Sequence, residues 1–177
     1  MKKQALISLI LILGFWVSSA CAEVKIAVID LQMVVRKSEA GQQALKKLQA
    51  KFETLRQKLQ AKEEELRKFK EELEKKAPLL SPDVRQQKER EYQKMLREYQ
   101  AQREDAQFEM KQAEEKALQP IMKDLEKIVK EMAKKEGYDL ILEKRMPGVY
   151  WTSQQIEITD HVVKLYNDYY HQKQQKK

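Results

Sequence analysis

Apolar residues recur along this chain with more than one period, and each period predicts a different element. From Leu45 the spacing is seven. Leu45, Phe52, Leu59, Leu66 and Leu73 fall one heptad apart, with Leu48, Leu55 and Phe69 between them at the three-and-four spacing of a coiled-coil seam. Lys62 and Lys76 are the polar exceptions on that stripe. It predicts one helix about 55 Å long at 1.5 Å per residue. The stripe stops at Ala77-Pro78-Leu79-Leu80-Ser81-Pro82-Asp83. There Ser81 is a good N-cap, Pro82 suits a first helical position and Asp83 complements the helix dipole. A second helix then carries Tyr92, Met95 or Leu96, Tyr99, Ala106, Met110, Ala113 and Ala117, with Arg103 as a polar gap. Helix, tight break and helix of similar length predict an antiparallel hairpin: an arm over 45–120 with its tip near 78–82. Folding there sets Leu73 beside Gln86, Leu66 beside Tyr92, Leu59 beside Tyr99 and Leu45 beside Ala113.

The flanks read differently. In Val24–Asp30, Val24, Ile26 and Val28 alternate with Lys25, Ala27 and Ile29. Apolar content on both faces predicts a strand in a covered sheet, and a short helix starts near Leu31. After the arm, Pro120 removes a helical hydrogen bond and presses on the carbonyl of Lys116, which predicts a kink at the arm's base. Ile121, Leu125, Ile128 and Met132 resume the stripe in a shifted phase. Lys134, Lys135 and Gly137 form a natural helix end. Tyr138–Glu143 reads as a strand, Pro147-Gly148 as the centre of a type II turn, and Val149-Tyr150-Trp151 as a second strand. Thr159 or Asp160 then caps a last helix bearing Val162, Val163, Leu165 and Tyr166, and the basic tail 171–177 is expected to fray. The fold class is α+β, mostly α, with the arm projecting from a small β head built from 23–44 and 121–170. So small a head is marginal alone, and a three-stranded sheet leaves two open edges. Self-assembly is therefore expected, through Val24, Ile26, Val28, Ile29, Leu140, Leu142 and Tyr150.

Composition adds the compartment. Met1-Lys2-Lys3, an apolar run from Ala5 to Val17 and Ala20-Cys21-Ala22 before Glu23 make the three-part signature of a secretory signal peptide over 1–22. The apolar run is too short to span a bilayer comfortably. Acylation of Cys21 is the competing reading, but Ser18 stands where a lipoprotein signal wants a large aliphatic residue. Cys21 is the only cysteine, so the processed chain can form no internal disulfide, thiolate metal site or cysteine nucleophile. Charged residues make up 36% of the chain and glycines number only 4, which suits long solvated helices better than a thick core. His161 and His171 have no metal-ligand spacing to a partner, and neither a glycine-rich phosphate loop nor a nucleophile elbow occurs. No enzyme and no cofactor are expected. Net charge is +7, and part of the surplus gathers toward the tip at Arg67, Lys68, Lys70, Lys75, Lys76, Arg85, Lys88 and Arg90. Such a run is ordinarily a solvated face; the alternative is a surface that attracts acidic clients or anionic lipid headgroups. Export and the want of a compact basic-aromatic module argue against nucleic acid as a partner.

Taken in order, these pieces resemble the Skp/OmpH-like periplasmic chaperones. The resemblance rests on Ile26, Val28, Ile29, Asp30, Leu31, Gln32 and Val35 around the first strand, on Ser38, Gly41, Ala44 and Leu48, and on Pro120-Ile121. Its best local match is Gly137-Tyr138-Asp139-Leu140-Ile141-Leu142 with Ile158-Thr159-Asp160. It implies a homotrimer with a small β-barrel body and three arms around a cavity. The implied activity is holding unfolded outer-membrane β-barrel proteins without ATP in the periplasm. Lipopolysaccharide is a further partner that the family suggests, though no motif fixes its residues here. On this reading the heptad stripe closes the arm on itself. Clients would instead meet Phe108, Leu118, Met122 and one of Met95 or Leu96, all off the seam. Leu79 and Leu80 either close the turn or form a gripping point at the tip. The rival reading is a structural coiled-coil adaptor of the cell envelope.

Overall fold

Two long helices dominate the molecule. The computed structural model describes residues 24–176, in the order β1 (Ile26–Ile29), α1 (Leu31–Lys37), α2 (Glu39–Lys76), α3 (Pro82–Glu136), β2 (Leu140–Glu143) and α4 (Thr159–Gln175). Short 3-10 turns occupy Ala77–Leu79 and Gln154–Ile156. The signal segment, its cleavage before Glu23 and the question of Cys21 lie outside the described residues.

The 38 residues of α2 and the 55 of α3 follow the heptad stripe and its continuation. The break between them is built as its residues dictate: the Ser81 side chain accepts the Val84 N–H, and Pro82 opens α3. Along the arm, Lys51 donates to the Glu109 carboxylate at 2.6 Å, and the Lys88 ammonium sits 5.1 Å from the centre of the Phe69 ring. Each contact joins a residue of α2 to one of α3 about equally far from the break. α3 continues through Pro120 and ends at Gly137.

At the arm's base the core collects Ala27 and Ile29 of β1, Val34 of α1, Ala40 and Ala44 of α2, Ile121, Leu125, Ile128 and Met132 of α3, and Val162 and Tyr166 of α4. The α1–α2 corner is tight. Ser38, fully buried, ends α1 and caps α2 by accepting the Gly41 N–H at 3.3 Å. Asp30 caps α1 in turn, accepting from Met33 N at 2.8 Å, while its own N–H donates to Thr159 Oγ1 at 3.0 Å.

The sheet departs from expectation. It has two strands, β1 and β2, paired in parallel with Ile26 opposite Leu140 and Ile29 opposite Glu143. The Pro147-Gly148 turn does form: Val149 N–H donates to Met146 O at 3.1 Å, and Gly148 takes the φ of +98° that a type II turn needs. The strand expected at Val149-Tyr150-Trp151 does not. Glu143 ends β2 by accepting Leu31 N–H at 3.0 Å, Met146 N–H closes a turn onto Glu143 O, and Arg145 is drawn to Asp30 at 3.1 Å. Those bonds hold 144–146 away from the extended path that a hairpin partner would need. A later segment takes the other edge of β1, where Val28 bridges Glu157 and Ile158 N–H donates to Val28 O at 2.9 Å.

The last helix departs too. It begins at Thr159 with Ile158 as cap and no side-chain cap bond, because the Thr159 hydroxyl is already engaged by Asp30 N–H. It also runs to Gln175 instead of fraying from His171. His171 contacts Glu39 at 3.0 Å and Lys173 contacts Asp124 at 2.7 Å, so the basic end is tied to α2 and α3.

Candidate functional site

The described residues hold no cluster of three or more His, Cys, Asp or Glu side chains suited to a metal. None of their helices is long and apolar enough to cross a membrane. What the fold positions instead is exposed apolar surface, set out along the arm and over the head.

On the head, the paired strands present two faces. Ala27, Ile29 and Ile141 point into the helical core, whereas Ile26 and Leu140 stand opposite each other and exposed, with Leu142 half-buried. Val24 is exposed beside them. Of the residues expected to join copies, Val28 and Ile29 are buried in the single chain, and Val24, Ile26, Leu140 and Tyr150 are exposed. Tyr150 is 97% and neighbouring Trp151 83% exposed, so in the single chain neither packs the sheet. Among the described residues nothing pairs with the outer edge of β2. Next to this edge, a cavity of about 520 Å³ lies between α3 and the sheet, walled by Leu125, Val129 and Ile141 with Met122 at its rim.

The head's charges are set by local partners. Burial opposes ionisation of Asp30. Hydrogen bonds from Arg145 and from Met33 N–H, with the charges of Arg145 and Arg36, outweigh it and hold the carboxyl below its usual range. Burial, aided by nearby Asp124, pushes the Tyr166 phenol far up, so it stays neutral in the core. His161 meets Glu136 at 2.7 Å, which joins the start of α4 to the end of α3. Both histidines thus link helices.

On the arm, Leu48 and Leu66 are buried in the seam, Leu55, Leu59, Phe69 and Leu73 are half-buried, and Leu45 and Phe52 are exposed. Phe52 is 54% exposed although its position predicts closure. Of the residues expected off the seam, Phe108 is 64% exposed and Met122 partly so, while Met95, Leu96 and Leu118 are half-buried. At the tip Leu79 is 86% exposed and Leu80 half-buried. The distal cations are mostly engaged on their own helices. Arg67 pairs with Glu64 and Glu71, Lys68 with Glu64, Lys70 with Glu74, Lys76 with Glu72, Arg85 with Glu89 and Lys88 with Glu91. Arg90 donates to Gln86. Sequence reasoning passed over Met146, which is exposed on the Pro147 turn, and the exposure of Phe52 within the seam; a large ring facing Ala106 was the signal for the second.

A family model described as "Outer membrane protein (OmpH-like)" matches residues 25–166. A crystal structure from Caulobacter crescentus CB15, described as a proposed outer membrane chaperone (OmpH-like), superposes with a TM-score of 0.67 at 18% sequence identity. The match covers 84% of this chain and 86% of that one, and at such identity the likeness is one of fold. No curated protein matches the chain.

Proposed function

The chain belongs to the OmpH-like family of outer membrane proteins, and from that premise we propose that it is an ATP-independent holding chaperone of the periplasm, one that keeps unfolded outer-membrane β-barrel proteins from aggregating. The observation that carries this reading is the spacing of its exposed apolar side chains. Leu79 at the tip, Phe52 and Phe108 along the arm and Met122 at the base are scattered singly over a long charged rod. Each such contact is weak and short-lived, but many engaged together give a client high avidity with fast local exchange. A binder of the unfolded state opposes premature folding and aggregation by mass action, with no need of nucleotide.

In this proposal the arm is an antiparallel coiled-coil hairpin, and three copies join at their heads into a barrel, the number that the family resemblance implies. The free edge of β2 and the open side chains of Ile26, Leu140, Tyr150 and Trp151 supply the surface for joining. The three arms then enclose the client. Lipopolysaccharide or an anionic membrane surface finds less to hold, because most distal cations already have carboxylate partners.

A urea-unfolded porin diluted into buffer tests the reading. Equimolar trimer is expected to suppress light scattering without nucleotide; scattering that rises unchanged would overturn the chaperone assignment.

A further inference from the structure

The arm's seam opens into a groove around Phe52. Phe52, Leu55 and Leu59 of α2 and Ala106 and Met110 of α3 line a groove of about 500 Å³. The seam is shut on either side of it, at Leu48 and at Leu66. The cause is a mismatch of size: the heptad places a phenyl ring where the facing helix supplies an alanine and the polar Gln107, so the helices meet without filling the space. Its volume falls within the range of ordinary small-ligand pockets. The groove also carries cations that face it without a carboxylate partner. Three nearby cations have partners, Lys51 in Glu109, Arg56 in Glu53 and Lys62 in Glu65. Arg103 and Lys111, both lining the groove, have no carboxylate within ion-pair distance among the described residues. Glu114 lines its head-proximal end, one turn beyond Lys111.

Resting on the chaperone reading, we propose that this groove seats one extended segment of an unfolded chain, with a bulky apolar side chain against Phe52 and Ala106 and an adjacent carboxylate held by Arg103. The apolar floor accepts a ring or a branched aliphatic group. The free cations favour acidic neighbours, and Glu114 repels a carboxylate at the head-proximal end, so the segment's acidic side lies toward the tip. Client segments are thereby sorted by a local pattern, large apolar beside acidic, and not by apolar content alone.

Fluorescence anisotropy with the purified protein tests this, using two short unstructured peptides: one tryptophan flanked by aspartates, or the same tryptophan flanked by lysines. The aspartate peptide is expected to bind about threefold to fivefold tighter, the scale of an exposed ion pair. Arg103→Glu is expected to abolish or reverse that preference. Ala106→Leu, which fills the groove with another good helix former, is expected to weaken both peptides while leaving helicity by circular dichroism unchanged. Equal binding of the two peptides to the native protein, or indifference to both substitutions, would overturn the proposal. So would a change in assembly mass with Ala106→Leu and none in peptide binding, since the groove would then be a contact between copies. Porin scattering separates the two readings: suppression that persists without peptide discrimination leaves the chaperone and removes the groove.

Discussion

At the scale of single residues, the α1–α2 corner sets the tightest constraint in the head. A Cβ built on Gly41 would lie 1.8 Å from the Val35 carbonyl oxygen, a backbone atom that cannot move alone. Gly41→Ala is therefore expected to cost about 2–3 kcal/mol, typical of forced overpacking, read as a lower thermal midpoint. Asp30 is the second such point, because one carboxylate caps α1 and meets Arg145. Asn keeps the capping oxygen and loses the charge, so Asp30→Asn isolates the ion pair, expected to be worth about 1 kcal/mol with Arg145 half in solvent. The sign with pH follows from a carboxyl whose pKa is lowered on folding. Its stabilisation is complete above the unfolded value, near 4, and fades as pH falls through the folded one. The difference in midpoint between native protein and variant should be flat at neutral pH and shrink under acid; a difference growing below pH 4 would contradict the pairing.

At the scale of elements, legibility tracked how local each signal was. The heptad of α2, the Ser81 cap and the Pro147-Gly148 turn each depend on residues within a turn or two, and the structure has all of them. The contacts Lys51–Glu109 and Phe69–Lys88 also lie within about two residues of the register drawn from the break alone. The misreadings were set from afar. Val149-Tyr150-Trp151 has the composition of a strand, but Arg145 answers to Asp30 and Glu143 to Leu31, more than a hundred positions earlier. The fraying expected from His171 was likewise prevented by Glu39 and Asp124. The arm itself offers a check. Leu66 is the one residue buried in its distal half, so Leu66→Ala is expected to cost about 2 kcal/mol, with proteolysis near the tip rising as the measured sign.

For the whole molecule, the proposed assembly makes a separable claim. Tyr150 is almost wholly exposed in one chain, so Tyr150→Asp should leave the helical signal of the isolated chain intact. If copies join through that face, sedimentation should show lower mass and the thermal midpoint should come to depend on protein concentration. An unaltered mass would place the joint elsewhere on the head. Sequence alone could place Tyr150 in the head but could not show that the ring stands almost wholly in solvent in the single chain.

The parallel pairing of Ile26 with Leu140 has a consequence in time. The first strand is synthesised early, yet its partner follows only after both limbs of the arm have been made. Closing so distant a pair carries the entropy of a long loop, which nearby helical contacts must first shorten. The rod is therefore expected to form before the strands pair, as the splint that brings them into reach. A chain cut short before Leu140 would keep both limbs of the arm and leave β1 without its partner.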